Sequence, residues 1–396
     1  MKYIPYGKHD IDEEDIKAVV EVLRSDWLTQ GPKVAEFEDA LASYCGARYA
    51  TVLSSGTAAL HAAYFAAGLS PGNEIVTSPI TFAATANAAL YLGAKPVFAD
   101  IEPETANLDA TQIESLITDR TRAIVPVHFA GQPCDMDEIH HIASRHNLIV
   151  IEDACHALGA TYKQRRIGGL SDMTVFSFHP VKHITTGEGG AVLTKNPAFH
   201  QRLQVFRQHG ITRDPSLLAS TAPGTQPDPW YYEMQYLGCN YRLTDIQCAL
   251  GISQLKKLNR FLEQRQKIAR TYDKAFSELP SIRPLVQKPD RQSAHHIYVV
   301  RVDWRQIGKS RTNFCALLRK KGIGSQVHYI PVYQHPYYQN LGYEKGVCPQ
   351  AEAYYEATLT LPIYPAMTDQ DVYRVIDTVY KISSKEHWFG PVINLK

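Results

Sequence analysis

Three short segments carry residue types whose order suits one kind of chemistry. Ser54-Ser55-Gly56-Thr57 ends an apolar run and opens an alanine-rich helical stretch. A small-residue turn at a helix amino terminus presents N–H groups and hydroxyls, which favour a phosphate; read alone, it also serves as an ordinary strand-to-helix turn. Asp153 follows the apolar run Leu148–Ile151, which places a carboxylate at the carboxyl end of a buried strand, where open sheets bind ligands. Such a group needs a partner: a protonated pyridine nitrogen is one, and the start of a following helix is another. The third segment runs from Ser177 through Lys182 to Gly189-Gly190. A lysine amine attacks a carbonyl only when neutral, so it needs a desolvated or cation-rich setting. Most lysines are solvated surface residues, but Lys182 follows a buried-looking strand and has small, rigid neighbours. A phosphate turn, a strand-end acid and a Ser…Lys…Gly-Gly run, in that order, are what a pyridoxal phosphate (PLP) site requires. Phe82, just past Ser78-Pro79, is placed to cover the cofactor ring or to serve as a core aromatic.

The elements that must position these residues alternate. Ile11, Ile16, Val19, Val20 and Leu23 recur at helical spacing behind Asp12, Glu13 and Glu14; Val34, Phe37, Leu41 and Tyr44 do so up to Gly46. Apolar runs at Tyr49–Leu53, Glu74–Thr77, Pro96–Ala99, Ala123–Val127, Leu148–Ile151, Met173–Phe178 and Ala191–Thr194 are separated by helical patterns. This predicts an α/β fold with a largely parallel sheet covered on both faces. Residues 211–230, with Pro215, Pro223, Gly224, Pro227 and Pro229, read as a long loop. A long helix follows from Thr244 to about Glu278, then a strand at Tyr298–Val302 and helices near Ser310–Lys321 and Thr368–Ile382. The expected organisation is a large domain over residues 1–265, with an amino-terminal arm, and a smaller α+β domain over residues 266–396.

Composition excludes several classes. Of 396 residues, 41 are Lys or Arg and 40 are Asp or Glu, a formal net charge of +1, which argues against nucleic acid as a partner. Hydrophobic residues at 44% and charged ones at 20% support a sizeable core rather than disorder. No apolar run approaches the roughly 18 residues of a membrane span, and the first ten residues lack the apolar region of a signal peptide. The 7 cysteines are scattered without a C-x-x-C pair, so they are expected to be reduced thiols, with no metal site. A cytoplasmic globular enzyme is the expectation.

The chain resembles the fold-type I PLP-dependent nucleotide-sugar aminotransferases of the DegT type over essentially its whole length. The matching segments are Trp27-Leu28-Thr29-Gln30-Gly31-Pro32, Ser55-Gly56-Thr57, Glu152-Asp153-Ala154-Cys155-His156, Ser177–Gly190 and Gly238-Cys239-Asn240-Tyr241-Arg242-Leu243. The resemblance implies that Lys182 is the Schiff-base lysine, that Asp153 holds the pyridine nitrogen and that Phe82 stacks on the ring. It puts Gly56, Thr57 and Ser177 at the phosphate and His156 among the cofactor-binding residues. It matches Asn240 to an asparagine donated by the neighbouring subunit of a homodimer with shared active sites. Some members are dehydratases with histidine in place of the Schiff-base lysine; Lys182 favours transamination. Further likeness at His179–Ile184, Gln208–Arg213, Trp230–Gln235 and Gln326–Tyr333 points to members that aminate C4 of a UDP-4-keto-6-deoxy-N-acetylhexosamine in pseudaminic acid biosynthesis, with L-glutamate as donor. Perosamine-type and 4-amino-arabinose-type aminotransferases are the alternatives. By that likeness Tyr6, Asp26, Trp27, Leu28, Thr29, Gln326, Val327, His328 and Tyr329 line the nucleotide-sugar pocket, although Tyr6 and Trp27 also suit packing roles.

Overall fold

The computed structural model describes residues 2–219 and 228–383. Nine strands occur before residue 195: β1 (Tyr49–Leu53), β2 (Glu74–Thr77), β3 (Lys95–Phe98), β4 (Thr121–Val125), β5 (Ile149–Asp153), β6 (Thr161–Tyr162), β7 (Arg165–Arg166), β8 (Met173–Ser177) and β9 (Gly190–Thr194). Seven of them form one sheet in the order β1-β9-β8-β5-β4-β2-β3. β9 runs antiparallel to both its neighbours, and every other pairing in the sheet is parallel. The carboxyl ends of β1, β2, β4, β5 and β8 and the start of β9 therefore converge on one edge.

Alternation along the strands feeds two cores. Ala50, Val52, Val76, Ile124, Val150, Phe176 and Leu193 face the helices Pro32–Cys45, Met136–His146 and the first half of Asp245–Phe276. Leu53, Ile75, Val125, Ile151, Val175 and Val192 face the helices Gly56–Ala66, Ala84–Tyr91 and Pro197–Phe206. Covering both faces is what a parallel sheet requires. A separate core lies around the antiparallel sheet of Ile282–Pro284, Tyr298–Val302 and Thr358–Leu361, closed by Arg311–Lys320 and Asp369–Ser383. The chain crosses from one core to the other inside a single 32-residue helix, with Leu262 in the first and Ile268 in the second. Ile4 of the amino-terminal arm packs in the second core, and the Asp10 carbonyl accepts from Gln254 Nε2 at 2.8 Å on the long helix.

Two sequence expectations need correction. The helix Glu13–Leu23 forms as predicted, but Ile16 is 48% and Leu23 55% exposed, while Asp15 is buried. Asp15 turns inward because Lys257 and Gln254 both donate to its Oδ2, at 2.5 and 2.7 Å, and it closes a capping box with Asp12. A paired carboxylate replaces an apolar contact there. The expected loop at residues 211–230 contains a two-residue strand, Ile211–Thr212, which pairs with Glu233–Met234. Pro223, Gly224 and Pro227 of that expectation lie outside the described residues.

Two helices pack tightly where Gly251 meets Phe37, a fully buried ring. A Cβ at position 251 would sit 2.5 Å from Phe37 Cζ and 2.7 Å from Cε1. Gly251→Ala should therefore destabilise the protein by about 1–2 kcal/mol, overpacking outweighing the roughly 1 kcal/mol gained in helix propensity. The unfolding midpoint reads this directly; an unchanged or higher midpoint contradicts the packing described.

Candidate active site

The converging strand ends build a cradle first. Ser54 N donates to the Tyr241 carbonyl at 2.8 Å, and the Ser55 hydroxyl caps the helix Gly56–Ala66 by accepting from Ala58 N at 3.0 Å. A Cβ on Gly56 would lie 2.9 Å from Ser177 Cβ, and one on Gly190 would lie 2.5 Å from the Ser55 carbonyl oxygen. The two glycines thus let the ends of β1, β8 and β9 close together. Thr57 and Ser177, both half-buried, face the helix amino terminus that this leaves, a setting suited to a phosphate. Asn240 is exposed beside the same turn, through its neighbour Tyr241.

Asp153, the last residue of β5, is 5% exposed. Thr85 Oγ1 donates to its Oδ2 at 2.6 Å and Cys155 N to its Oδ1 at 3.1 Å. No helix follows it, so the helix-cap alternative falls away and the amide bond is a local turn. No Lys or Arg pairs with it among the described residues, which leaves the carboxylate able to accept a further N–H. On the opposite face of β5, Glu152 is wholly buried: burial raises its pKa, but the bond from His128 Nε2 at 2.7 Å and one from Thr174 at 2.9 Å hold it below the usual range. Because Cys134 N donates to His128 Nδ1 at 3.1 Å, the His128 proton sits on Nε2, toward Glu152. This pair fixes the strand that carries Asp153.

Lys182 lies on a stapled loop. Phe178 N donates to the Gly189 carbonyl at 2.8 Å, Thr186 N to the Phe178 carbonyl at 3.0 Å, and Lys182 N to the His179 carbonyl at 2.9 Å. Gly187 takes φ +79°, a left-handed conformation that glycine adopts without strain. The Lys182 amine is desolvated, which lowers its pKa; Cys155 and Asp153 nearby pull the other way. Its one side-chain partner among the described residues is His296 Nε2, at 3.4 Å.

Four histidine rings wall this amine. His156 lies 4.3 Å from the His296 ring by centroids and 3.2 Å from the Tyr329 hydroxyl through Nε2. His183 Nε2 is 3.1 Å from the Ala294 carbonyl, and His328 Nδ1 is 2.8 Å from Thr360 Oγ1. Burial lowers the pKa of all four, that of His328 to about 3. Tyr329 also faces Phe82, with ring centroids 6.4 Å apart, and Phe82 itself is 62% exposed at the mouth.

The structure thus brings Gly56, Thr57, Asp153, His156, Ser177, Lys182, His328, Tyr329 and Phe82 to one edge. Tyr6 joins them: its ring is 5.6 Å from that of His328, and Gly7 packs on Val181. Gln326 is exposed, its backbone paired with Thr360 and its side chain bonded to Val327 N. Asp26, Trp27, Leu28 and Thr29 are exposed and lie elsewhere, where Leu28 O accepts from Asp245 N at the start of the long helix. Sequence reasoning missed Thr85 and His296. The first is one polar residue in an alanine-rich helix; the second lies over a hundred positions from Lys182.

These residues fit PLP: a cradle closed by two glycines, a buried carboxylate without a cation, and a desolvated lysine between them. Four buried imidazoles and the half-buried His295 also make stability pH-dependent. His156, His183, His296, His295 (about 4) and His328 (about 3) all have lowered pKa values, so the unfolded state takes up their protons first as pH falls. Stability is complete above about pH 6.5 and drains below it, by up to about 2 kcal/mol per imidazole at pH 5. The unfolding midpoint should fall between pH 7.5 and 5; a flat or rising midpoint would show that these rings are not buried neutral.

The chain resembles known proteins along nearly its whole length. Residues 9–380 match the DegT/DnrJ/EryC1/StrS aminotransferase family. The spore coat polysaccharide biosynthesis protein SpsC of Bacillus subtilis is 43% identical, over 96% of this chain and 97% of its own. The UDP-4-amino-4,6-dideoxy-N-acetyl-beta-L-altrosamine transaminase of Campylobacter jejuni is 40% identical over 96% and 98%. Among solved structures, Helicobacter pylori PseC, an aminotransferase involved in the biosynthesis of pseudoaminic acid, superposes with a TM-score of 0.89 at 36% identity, over 96% of this chain and 99% of that one. The putative sugar aminotransferase Spr1654 of Streptococcus pneumoniae, solved in a PLP form, gives 0.88 at 32% identity over 97% and 99%. With its strand-end acid, its glycine-closed cradle and its desolvated lysine in one place, the chain belongs to the DegT/DnrJ/EryC1/StrS aminotransferase family and has the α/β fold of the type I PLP-dependent transferases.

Proposed function

We propose that this protein is a PLP-dependent aminotransferase that moves an amino group from L-glutamate to C4 of a UDP-4-keto-6-deoxy-N-acetylhexosamine, giving UDP-4-amino-4,6-dideoxy-N-acetyl-β-L-altrosamine. The observation that carries the reaction type is the Lys182 amine, desolvated and unpaired with any carboxylate, beside the buried carboxylate of Asp153. The relatives named above support the sugar.

When bound, PLP supplies an electron sink and an amino-group carrier. Asp153, held by Thr85 and Cys155 N, accepts the ring N–H and keeps that proton in place. Gly56, Thr57 and Ser177 bind the phosphate at the helix amino terminus. Lys182 Nζ, its pKa lowered by desolvation, would take the proton from the carbon bearing the amine and hand it to the carbon on the other side of that nitrogen, as general base and then acid. Phe82 and Tyr329, their rings 6.4 Å apart at the mouth, would cover the reacting face.

We read the working unit as a cytoplasmic homodimer. Ile16, Leu23, Trp27, Leu28, Trp230, Met234 and Leu237 are all more than 45% exposed in the single chain, an apolar surface that a second copy would cover. Asn240 and Asp26–Thr29, which do not touch Lys182 in their own chain, would then serve the partner's site. No helix of the described residues is long and apolar enough to cross a membrane. The 43% identity to SpsC favours a second reading, amination of a different nucleotide sugar bound for a polysaccharide.

Purified protein with PLP, L-glutamate and the UDP-4-keto-6-deoxy-N-acetylhexosamine should give the C4 amine, identified by mass spectrometry and NMR. Amination only of another keto-sugar would move the assignment to the second reading. Lys182→Ala should lower turnover by about 10³-fold or more while the phosphate cradle still binds cofactor. Asp153→Asn should cost at least about 100-fold in kcat with little change in unfolding midpoint. A variant with near-normal turnover removes the role given to that residue.

A further inference from the structure

We propose that His296 is a positioning residue for Lys182, its Nε2–H donating to the lone pair of the Lys182 amine whenever that amine is not bonded to the cofactor. This rests on Lys182 being the reacting amine. Lys182 Nζ and His296 Nε2 are 3.4 Å apart, and no other side chain among the described residues reaches Nζ. The other ring nitrogen, Nδ1, is buried and has no hydrogen-bond partner. Orphaned buried N–H groups are costlier and rarer than orphaned acceptors, which puts the ring proton on Nε2, facing the lysine. An amine accepts such a bond only when uncharged, so the contact selects the reactive form.

The ring is held at its backbone on both sides. His296 N donates to the Ala130 carbonyl at 2.9 Å, and the His296 carbonyl accepts from Arg265 Nη1 at 3.0 Å. The same Arg265 nitrogen donates to the carbonyls of His295 and Ile363, both at 3.1 Å, so one wholly buried guanidinium locks the segment. Gly131 allows the approach: a Cβ there would lie 2.7 Å from His295 N and 2.8 Å from the His156 carbonyl. The charged and titratable groups facing the pair are Asp153, Cys155 and His156 from the end of β5, His183 on the lysine loop, His328 across the mouth and Arg265 behind. Asp153 and Cys155 favour the charged amine and the histidines are neutral, so burial and the His296 bond together favour the uncharged one.

The test uses the full-length protein freed of PLP, so it does not depend on any sugar. Lys182 is labelled with acetic anhydride across a pH series and quantified by mass spectrometry, giving the pH at which its amine becomes reactive. His296→Leu should raise that midpoint by about one unit, a tenfold loss of labelling below it, the worth of one hydrogen bond. His296→Gln, whose amide N–H reaches the position of Nε2, should restore it to within a few tenths of a unit. Should His296→Leu not fold, His296→Asn, whose amide stops short, takes its place. Equal midpoints in all variants, or an equal shift in the glutamine variant, would overturn the proposal. A wild-type Lys182 with the ordinary midpoint of surface lysines would instead overturn the functional reading beneath it.

Discussion

Holding the Lys182 amine out of water without a carboxylate against it costs free energy, because the charged form loses hydration that no ion pair replaces. The rest of the site follows from that constraint. Burial biases the amine toward its uncharged form, and its surroundings must suit an uncharged base. Buried imidazoles meet this need: they are apolar enough to pack, yet they present a nitrogen where one is wanted. Asp153 completes the division of labour. Its carboxylate is satisfied by a threonine hydroxyl and a backbone amide rather than by the lysine, so the two groups are kept for different partners.

Sheet topology makes this affordable in chain length. With β9 running against its neighbours, Gly190 arrives at the edge where β1 and β8 end, and three backbones meet where only glycine fits. Ser177 and Gly190, both at the glycine-closed cradle, are the two ends of one hairpin-like return that carries Lys182 between them, closed by the bonds between Phe178 and Gly189 and between Phe178 and Thr186. Segments near the second core add another wall. His296, His328 and Tyr329 come from these segments, and Arg265 ties them to the helix that runs through both cores.

Much of this was legible in the sequence, for physical reasons. β1 and β2 are bounded as read because continuous apolar runs between turn residues leave little choice in a sheet buried on both faces. β5 runs two residues further than its apolar run, to Asp153, since Glu152 is paired by His128 inside the core and polarity no longer marks the strand's end. The amino-terminal helix misled in the same way: Asp15 is buried because Lys257, 242 positions away, neutralises it, and no local pattern encodes that. The lysine, the acid and the phosphate turn were visible because each sits in a short motif whose chemistry is local. Thr85 and His296 were not, because each matters only through a partner that the fold supplies.

The claim that most of the account depends on is that Lys182 is the residue that bonds the cofactor. It is tested most directly by loading the protein with PLP, reducing it with borohydride and mapping the phosphopyridoxyl group by peptide mass spectrometry. The account predicts one labelled site, on the peptide carrying Lys182, and no label in Lys182→Ala. A label on another lysine, or none after saturating PLP, would contradict it.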